Sequence, residues 1–139
     1  MAITPYLFFD GRAEEAARFY SQAIGAEVAM MLRFSDSPDP VPEVMIPPGA
    51  QDKVMHMELR IGDARLFCSD GNCGGAPVFQ GSAVALEAGN EAEARRWFEG
   101  LSQGGQVQMP MGATFFSPCF GMVADRFGVA WMVIVPMAA

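Results

Sequence analysis

The chain's one histidine, His56, stands two residues before Glu58 and four before Arg60. In an extended strand, side chains two apart share a face. Val54, His56, Glu58 and Arg60 therefore fall on one side of segment 54–61, and Met55, Met57, Leu59 and Ile61 on the other. Imidazole titrates near neutrality, and a neighbouring carboxylate can hold its tautomer or take a proton itself. His56 and Glu58 are thus the candidate catalytic pair for acid–base chemistry. The same side chains, with Arg60, also suit the few polar anchors of an otherwise apolar ligand site. A metal is the third use: both could face one ion, with Asp70 or Cys68 as a further ligand. A lone histidine is a weak metal motif, and the reading adopted is no metal and no cofactor.

Other chemistries find less support. Cys68 and Cys119 have no local basic neighbour to favour a thiolate, so both read as small buried apolar residues. One histidine among scattered serines is no Ser/His/Asp motif. The three cysteines are an odd number without a CxxC pair, which indicates neither a disulfide framework nor a structural zinc site. Gly74-Gly75 precedes Pro77 with no helical pattern after it, unlike the glycine-rich turn of a methyl-donor or dinucleotide site.

Composition bounds the rest. The 139 residues, 51% of them hydrophobic, suit one folded domain and exclude a disordered chain. No apolar run reaches the roughly 18 residues of a membrane helix. Sixteen acids oppose nine bases, Lys53 is the single lysine, and the adjacent pair Arg95-Arg96 lies among glutamates. A nucleic-acid partner needs clustered positive charge and is not expected. The first ten residues carry no Lys or Arg, so a leader peptide is not expected and a cytoplasmic location is.

The elements that must position His56 come from an internal repeat. Arg18-Phe19-Tyr20 followed by Gly25-Ala26-Glu27-Val28 matches Arg96-Trp97-Phe98 followed by Gly104-Gly105-Gln106-Val107. Each aromatic pair sits in a helical pattern entered from a short apolar strand, Ile3 to Phe9 and Ala83 to Ala88, and left at glycine. Later come Ile61-Gly62 and Phe127-Gly128, each followed by an apolar strand, Ala64 to Cys68 and Val129 to Val135. The order strand, helix, strand, strand, strand thus occurs twice. The first half is longer through Ser35 to Lys53, whose prolines 38, 40, 42, 47 and 48 predict a surface excursion.

Two βαβββ units with an aromatic pair on each helix resemble the vicinal oxygen chelate superfamily of glyoxalase I, bleomycin-resistance proteins and extradiol dioxygenases. The words ARFYSQAIGAEV at 17–28, KVMHMELRIGDARLFCSDG at 53–71 and GMVADRFGVAWMVIV at 121–135 resemble its PhnB-like branch, labelled as a 3-demethylubiquinone 3-methyltransferase-like domain. The resemblance implies an α+β fold of two tandem βαβββ modules forming cupped mixed sheets with one helix each, paired in a homodimer. It makes 1–139 a single glyoxalase-like domain, with modules at 1–70 and 82–139 and a linker at 71–81. The branch pattern TFWGDRYG is replaced by Thr114-Phe115-Phe116-Ser117-Pro118-Cys119-Phe120-Gly121, and DPFG by Asp125-Arg126-Phe127-Gly128. The superfamily's four metal positions fall on Pro5, near Ala83, near Leu66 or Phe67, and on Met132, none a ligand for a divalent cation.

These readings combine into one expectation. The cup binds a small, largely apolar organic molecule without the usual metal site, and the methyltransferase label is inherited wording. Walls come from Pro5, Leu7, Phe9, Ala83, Ala85, Leu66 and Met132, with Phe116 or Trp131 as aromatic cover. His56, Glu58 and Arg60 are the anchors. The alternative is an isomerase- or lyase-type enzyme moving a proton through His56 or Glu58, with a non-standard metal as an option.

Overall fold

The computed structural model of the protein describes residues 1–38, 49–71, 75 and 77–137. These form two compact units, Met1–Ser21 with Gly25–Pro77, and Gln22–Ile24 with Val78–Ala139. The first runs β1 (Tyr6–Phe8), α1 (Ala13–Ile24, its last three residues counted with the second unit), β2 (Glu27–Arg33), a 3-10 turn at Phe34–Asp36, β3 (Val54–Ile61) and β4 (Ala64–Ser69). The second runs β5 (Val84–Glu87), α2 (Glu91–Ser102), β6 (Gln106–Thr114), β7 (Ser117–Ala124) and β8 (Ala130–Val135). The sheet orders are β1-β4-β3-β2 and β5-β8-β7-β6, so the second module repeats the first strand for strand. In each, the strand before the helix pairs in parallel with the last strand, and the other pairings are antiparallel.

The repeat extends to a defect. The register of β2 on β3 slips between Val28 and Met30, and that of β6 on β7 between Val107 and Met109. Val28 and Val107 are the residues the sequence repeat aligns. One extra residue at a bulge moves the following side chains to the other face. Hence Val28 lies opposite Leu59, whereas Met30 and Leu32 lie opposite Glu58 and His56.

Each helix ends where its residues compel it. At the C-terminus of α1, Gly25 takes the left-handed conformation at φ 70°, and its N–H donates to the Ser21 carbonyl. That backbone is strained for any residue with a Cβ. At the other end Arg12 gives α1 no side-chain cap; Asp70, just past β4, accepts from the Ala13 N–H at 2.8 Å instead. In α2, Asn90 caps the Glu93 N–H at 2.8 Å. The helix ends at Ser102 with Gln103 as its cap, one residue ahead of the glycine exit expected from the repeat.

The two cores are built alike. In the first unit Met57 pairs with Cys68 and Leu59 with Leu66, all four fully or almost fully buried on one face. In the second, Val123 pairs with Trp131 and Gly121 with Val133, beside the buried Ala94, Phe98 and Leu101 of α2. Gly121 has no room for a side chain: a Cβ there would lie 2.7 Å from the Phe98 ring. The strand expected at Ile3 to Phe9 shortens to three residues, and Pro5 and Phe9 fall outside it. Of the proline-rich excursion, 39–48 lie outside the described residues, as do 72–74 and 76 of the connector.

Candidate functional site

The open face of the first sheet gathers more chemistry than any other described surface. Its geometry follows from pairing. Tyr6 lies beside Phe67, Phe67 opposite Glu58, and Glu58 opposite Met30, so one row of side chains crosses all four strands on one face. His56, two residues from Glu58, shares that face with Leu32 as its neighbour on β2. The expected polar face of β3 is therefore present, with Met57 and Leu59 buried beneath it.

Tyr6 supplies the partner of His56. Its hydroxyl lies 2.9 Å from His56 Nδ1, and the two ring centroids are 5.5 Å apart. Phe67 meets the imidazole edge-on at 5.1 Å, and Tyr6 lies 5.0 Å from Phe8. Four rings thus form a continuous half-open patch, Tyr6 and Phe8 retaining 38% and 52% of their surface. Edge-to-face and tilted contacts at these separations are the favoured arrangements of aromatic pairs.

Glu58 is engaged elsewhere. Its carboxylate is 3.0 Å from Arg65 Nε and 4.0 Å from Arg60, and Arg65 lies 5.0 Å over the Phe67 ring. The spacing offers Glu58 to hold the imidazole's tautomer or to take a proton itself. The geometry gives the first of these roles to Tyr6, because the two flanking arginines on β3 and β4 draw the carboxylate along the sheet. Arg60 stands directly opposite Arg65, at the more exposed end of the row.

The remaining named residues scatter. Phe9 is 2% exposed, past the end of β1, with its ring 6.2 Å from Tyr20. Trp131 is fully buried and donates its indole N–H to Asp125 Oδ2 at 2.9 Å. Neither presents a ring to a ligand on the open face. Met132 is half-buried on the face of the second sheet opposite to Trp131, paired with Ala85 on one side and Met122 on the other. Phe116 sits at the β6–β7 turn, 41% exposed, edge-on to Phe115 and Phe120 at 5.2 and 5.0 Å.

The expected faces of β1 and β4 are exchanged. Tyr6, Phe8 and Phe67, not Pro5, Leu7, Phe9 and Leu66, share the side of His56. The cause is register: β1 is too short to declare its own parity, and its parallel pairing sets Tyr6 beside Phe67 and Leu7 beside Cys68. The aromatic period Tyr6, Phe8 was the signal available in the sequence.

The two side chains weighed as a third metal ligand do not join His56. Cys68 lies on the buried face opposite Met57. Both carboxylate oxygens of the buried Asp70 are committed to backbone, Oδ1 to the Gly11 and Ala13 N–H groups and Oδ2 to that of Val54, each at 2.8 Å. Burial, reinforced by the Asp70 charge, pushes the Cys68 thiol up to about 12. Among the described residues no three His, Cys, Asp or Glu side chains stand together as a metal site would require.

Two hollows flank this sheet. One, about 430 Å³, lies against Phe8 and is lined by Asp10, Asp70, Gly71, Gly75 and Pro77. The other, about 480 Å³, is on the helix side, between α1 and β2, with Val28, Met31 and Met57 in its floor. Only the first touches the aromatic patch.

Comparison with known proteins agrees with this architecture. The family described as 3-demethylubiquinone-9 3-methyltransferase matches residues 1–134. Protein YjdN of Escherichia coli (strain K12) is 31% identical over 140 residues, covering 97% of this chain and 95% of its own. The structure of PA1353 from Pseudomonas aeruginosa is 40% identical, with a TM-score of 0.83 and 99% of both chains covered. The PhnB protein from Bacillus cereus is 26% identical, with a TM-score of 0.76 over 97% of this chain and 99% of that one. At 9% identity, the fosfomycin resistance protein FosX of Listeria monocytogenes shares the fold, with a TM-score of 0.64 over 99% of this chain and 94% of its own. Two tandem βαβββ modules and a match over nearly the whole length place the chain in the PhnB-like family described as 3-demethylubiquinone-9 3-methyltransferase.

Proposed function

We propose that the protein binds a small, largely apolar organic molecule on the open face of its first sheet, without a catalytic metal. The observation that carries this reading is the half-exposed patch of Tyr6, Phe8, His56 and Phe67 around one hydrogen-bonded imidazole. Water-facing aromatic surface is costly to leave uncovered, and a few polar groups set in an apolar floor are the usual make-up of a ligand site. Arg60 and Arg65 border it and Glu58 joins them. The family's methyltransferase wording is not the activity proposed. The stretch with Gly75 leads through Pro77 into β5 and not into a helix, and β1 passes to α1 without a glycine-rich phosphate turn.

Proton-transfer catalysis is the weaker reading, because the Glu58 carboxylate is held by arginine at 3.0 Å and does not meet the imidazole. The protein acts, on this proposal, as a homodimer in the cytoplasm. No described helix is long and apolar enough to cross a membrane. A thermal-shift screen of aromatic and heterocyclic compounds tests the binding reading. Stabilisation should rise with ligand concentration by mass action. A ligand found this way that leaves the resonances of His56 unmoved would place binding elsewhere and overturn the assignment.

A further inference from the structure

The rings around His56 carry the binding proposal one step further, to the chemical class of the ligand. We infer that this face selects a flat aromatic molecule bearing a hydrogen-bond acceptor at its edge, and that Tyr6 is the residue that sets both preferences. The inference rests on the binding reading above.

The acceptor preference follows from the Tyr6–His56 hydrogen bond at 2.9 Å. An unprotonated imidazole nitrogen is a far better acceptor than a phenol oxygen, and a phenol is the more acidic donor. The favoured arrangement therefore has Tyr6 O–H donating to Nδ1. Neutral imidazole carries one N–H, so the proton of His56 is placed on Nε2. Among the described residues no hydrogen bond occupies Nε2. Glu58 could have claimed it but is drawn to Arg65. His56 is thus a fixed donor awaiting an acceptor such as a carbonyl or ring nitrogen.

The preference for a flat ring follows from what surrounds that donor. Tyr6 contacts Phe8 at 5.0 Å, Phe67 at 6.1 Å and His56 at 5.5 Å, making it the hub of the patch. Phe67 is already backed by the Arg65 guanidinium at 5.0 Å. A saturated ligand of equal size would bury similar area but gain none of the ring–ring attraction.

Two matched probes separate these ideas: naphthalene carboxamide and its fully saturated decahydro analogue. They share carbon skeleton, charge and acceptor; the saturated probe lacks the π-face and, with it, the flat shape. Because His56 is the single histidine, its ring proton and nitrogen resonances report occupancy without assignment ambiguity. The aromatic probe should bind about tenfold more tightly than the saturated one, equivalent to about 1.4 kcal/mol. Tyr6→Leu should reduce that ratio to near unity. Tyr6→Phe should keep the ratio, while the nitrogen shifts of His56 move from a fixed Nε2–H tautomer toward the mixture of free imidazole. Equal affinity of the two probes, both shifting His56, would overturn the ring preference and leave the binding site standing. An Nδ1–H tautomer in the unmodified protein would overturn the acceptor preference. Failure of both probes to perturb His56 at saturating solubility would remove the inference and the site together.

Discussion

At the scale of single residues, groups that would meet a ligand on the binding proposal stand apart from groups that hold the chain. On that proposal His56 is of the first kind. If it anchors ligand, His56→Ala should weaken binding by about 1–3 kcal/mol, the cost of leaving a buried partner group unpaired. It should leave the melting temperature of the free protein nearly unchanged, because Met57 and Leu59 carry the core face of β3. A clear loss of stability with unaltered affinity would make it a structural histidine instead. Asp125 belongs to the second kind. Its oxygens accept from the N–H groups of Phe127 and Val129 and from the Trp131 indole, at 2.8, 3.1 and 2.9 Å. Asp125→Ala removes the acceptor shared by two buried donors and one part-buried donor and should destabilise the protein by about 3 kcal/mol in chemical denaturation, with Asp125→Asn recovering part of it.

Cys68 gives a pH-dependent check on the same distinction. Burial raises its thiol from an ordinary 9.0 to about 12, so the folded protein favours the neutral form more than the unfolded chain does. Its contribution to stability is fully present below pH 9.0 and is lost as pH rises toward about 12. At neutral pH, alkylation of Cys68 should proceed at the rate of structural opening and accelerate in denaturant. Rapid labelling of Cys68 in the native protein, read by peptide mass spectrometry, would contradict its placement on the buried face.

At the scale of elements, what was legible in the sequence depended on length. β3 is eight residues long, and its alternation gives its bounds and sets His56, Glu58 and Arg60 opposite Met57 and Leu59, although Val54, expected on the open face, is buried. The helices were legible from periodicity and from glycine at the exit of α1. β1 has three residues, and three residues cannot show a period. Its orientation is decided by a strand 61 positions away, through the pairing of Tyr6 with Phe67. For the same reason alternation alone does not single out Tyr6 beside His56, and it does not show that Phe9 and Trp131, both expected to line the site, belong to the core. The ties made by Asp70 were equally hidden, since they join Gly11, Ala13 and Val54, which only folding brings together. Helix termini allow a direct test. Gly25→Ala forces a Cβ into φ 70° and should cost about 1 kcal/mol, whereas exposed Gly89→Ala, at a negative-φ position, should cost less. Equal costs in urea titrations would mean that the left-handed cap does not limit α1.

At the scale of the whole molecule, the repeat raises the question of what covers its edges. β2 and β6 each form one edge of their sheet, opposite the short edge strands β1 and β5, and each is hydrogen-bonded on one side within its own sheet. At repeat-matched positions both expose apolar side chains, Val28 and Met30 on β2 and Val107 and Met109 on β6, each 43–51% exposed. Unprotected apolar edges are an aggregation hazard that stable proteins blunt or cover. Neither of these two stretches, Val28–Leu32 and Val107–Met111, carries a charged residue to do so. A second copy of the chain is the covering proposed here, consistent with the homodimer expected from the family resemblance. Sedimentation at micromolar concentration should therefore give a dimer. Placing glutamate at both Val28 and Val107 should shift it to monomer without loss of helical circular dichroism, because neither residue belongs to the buried core. A wild-type chain that sediments as a monomer would defeat the proposal. A dimer indifferent to both charges would move the contact away from these edges.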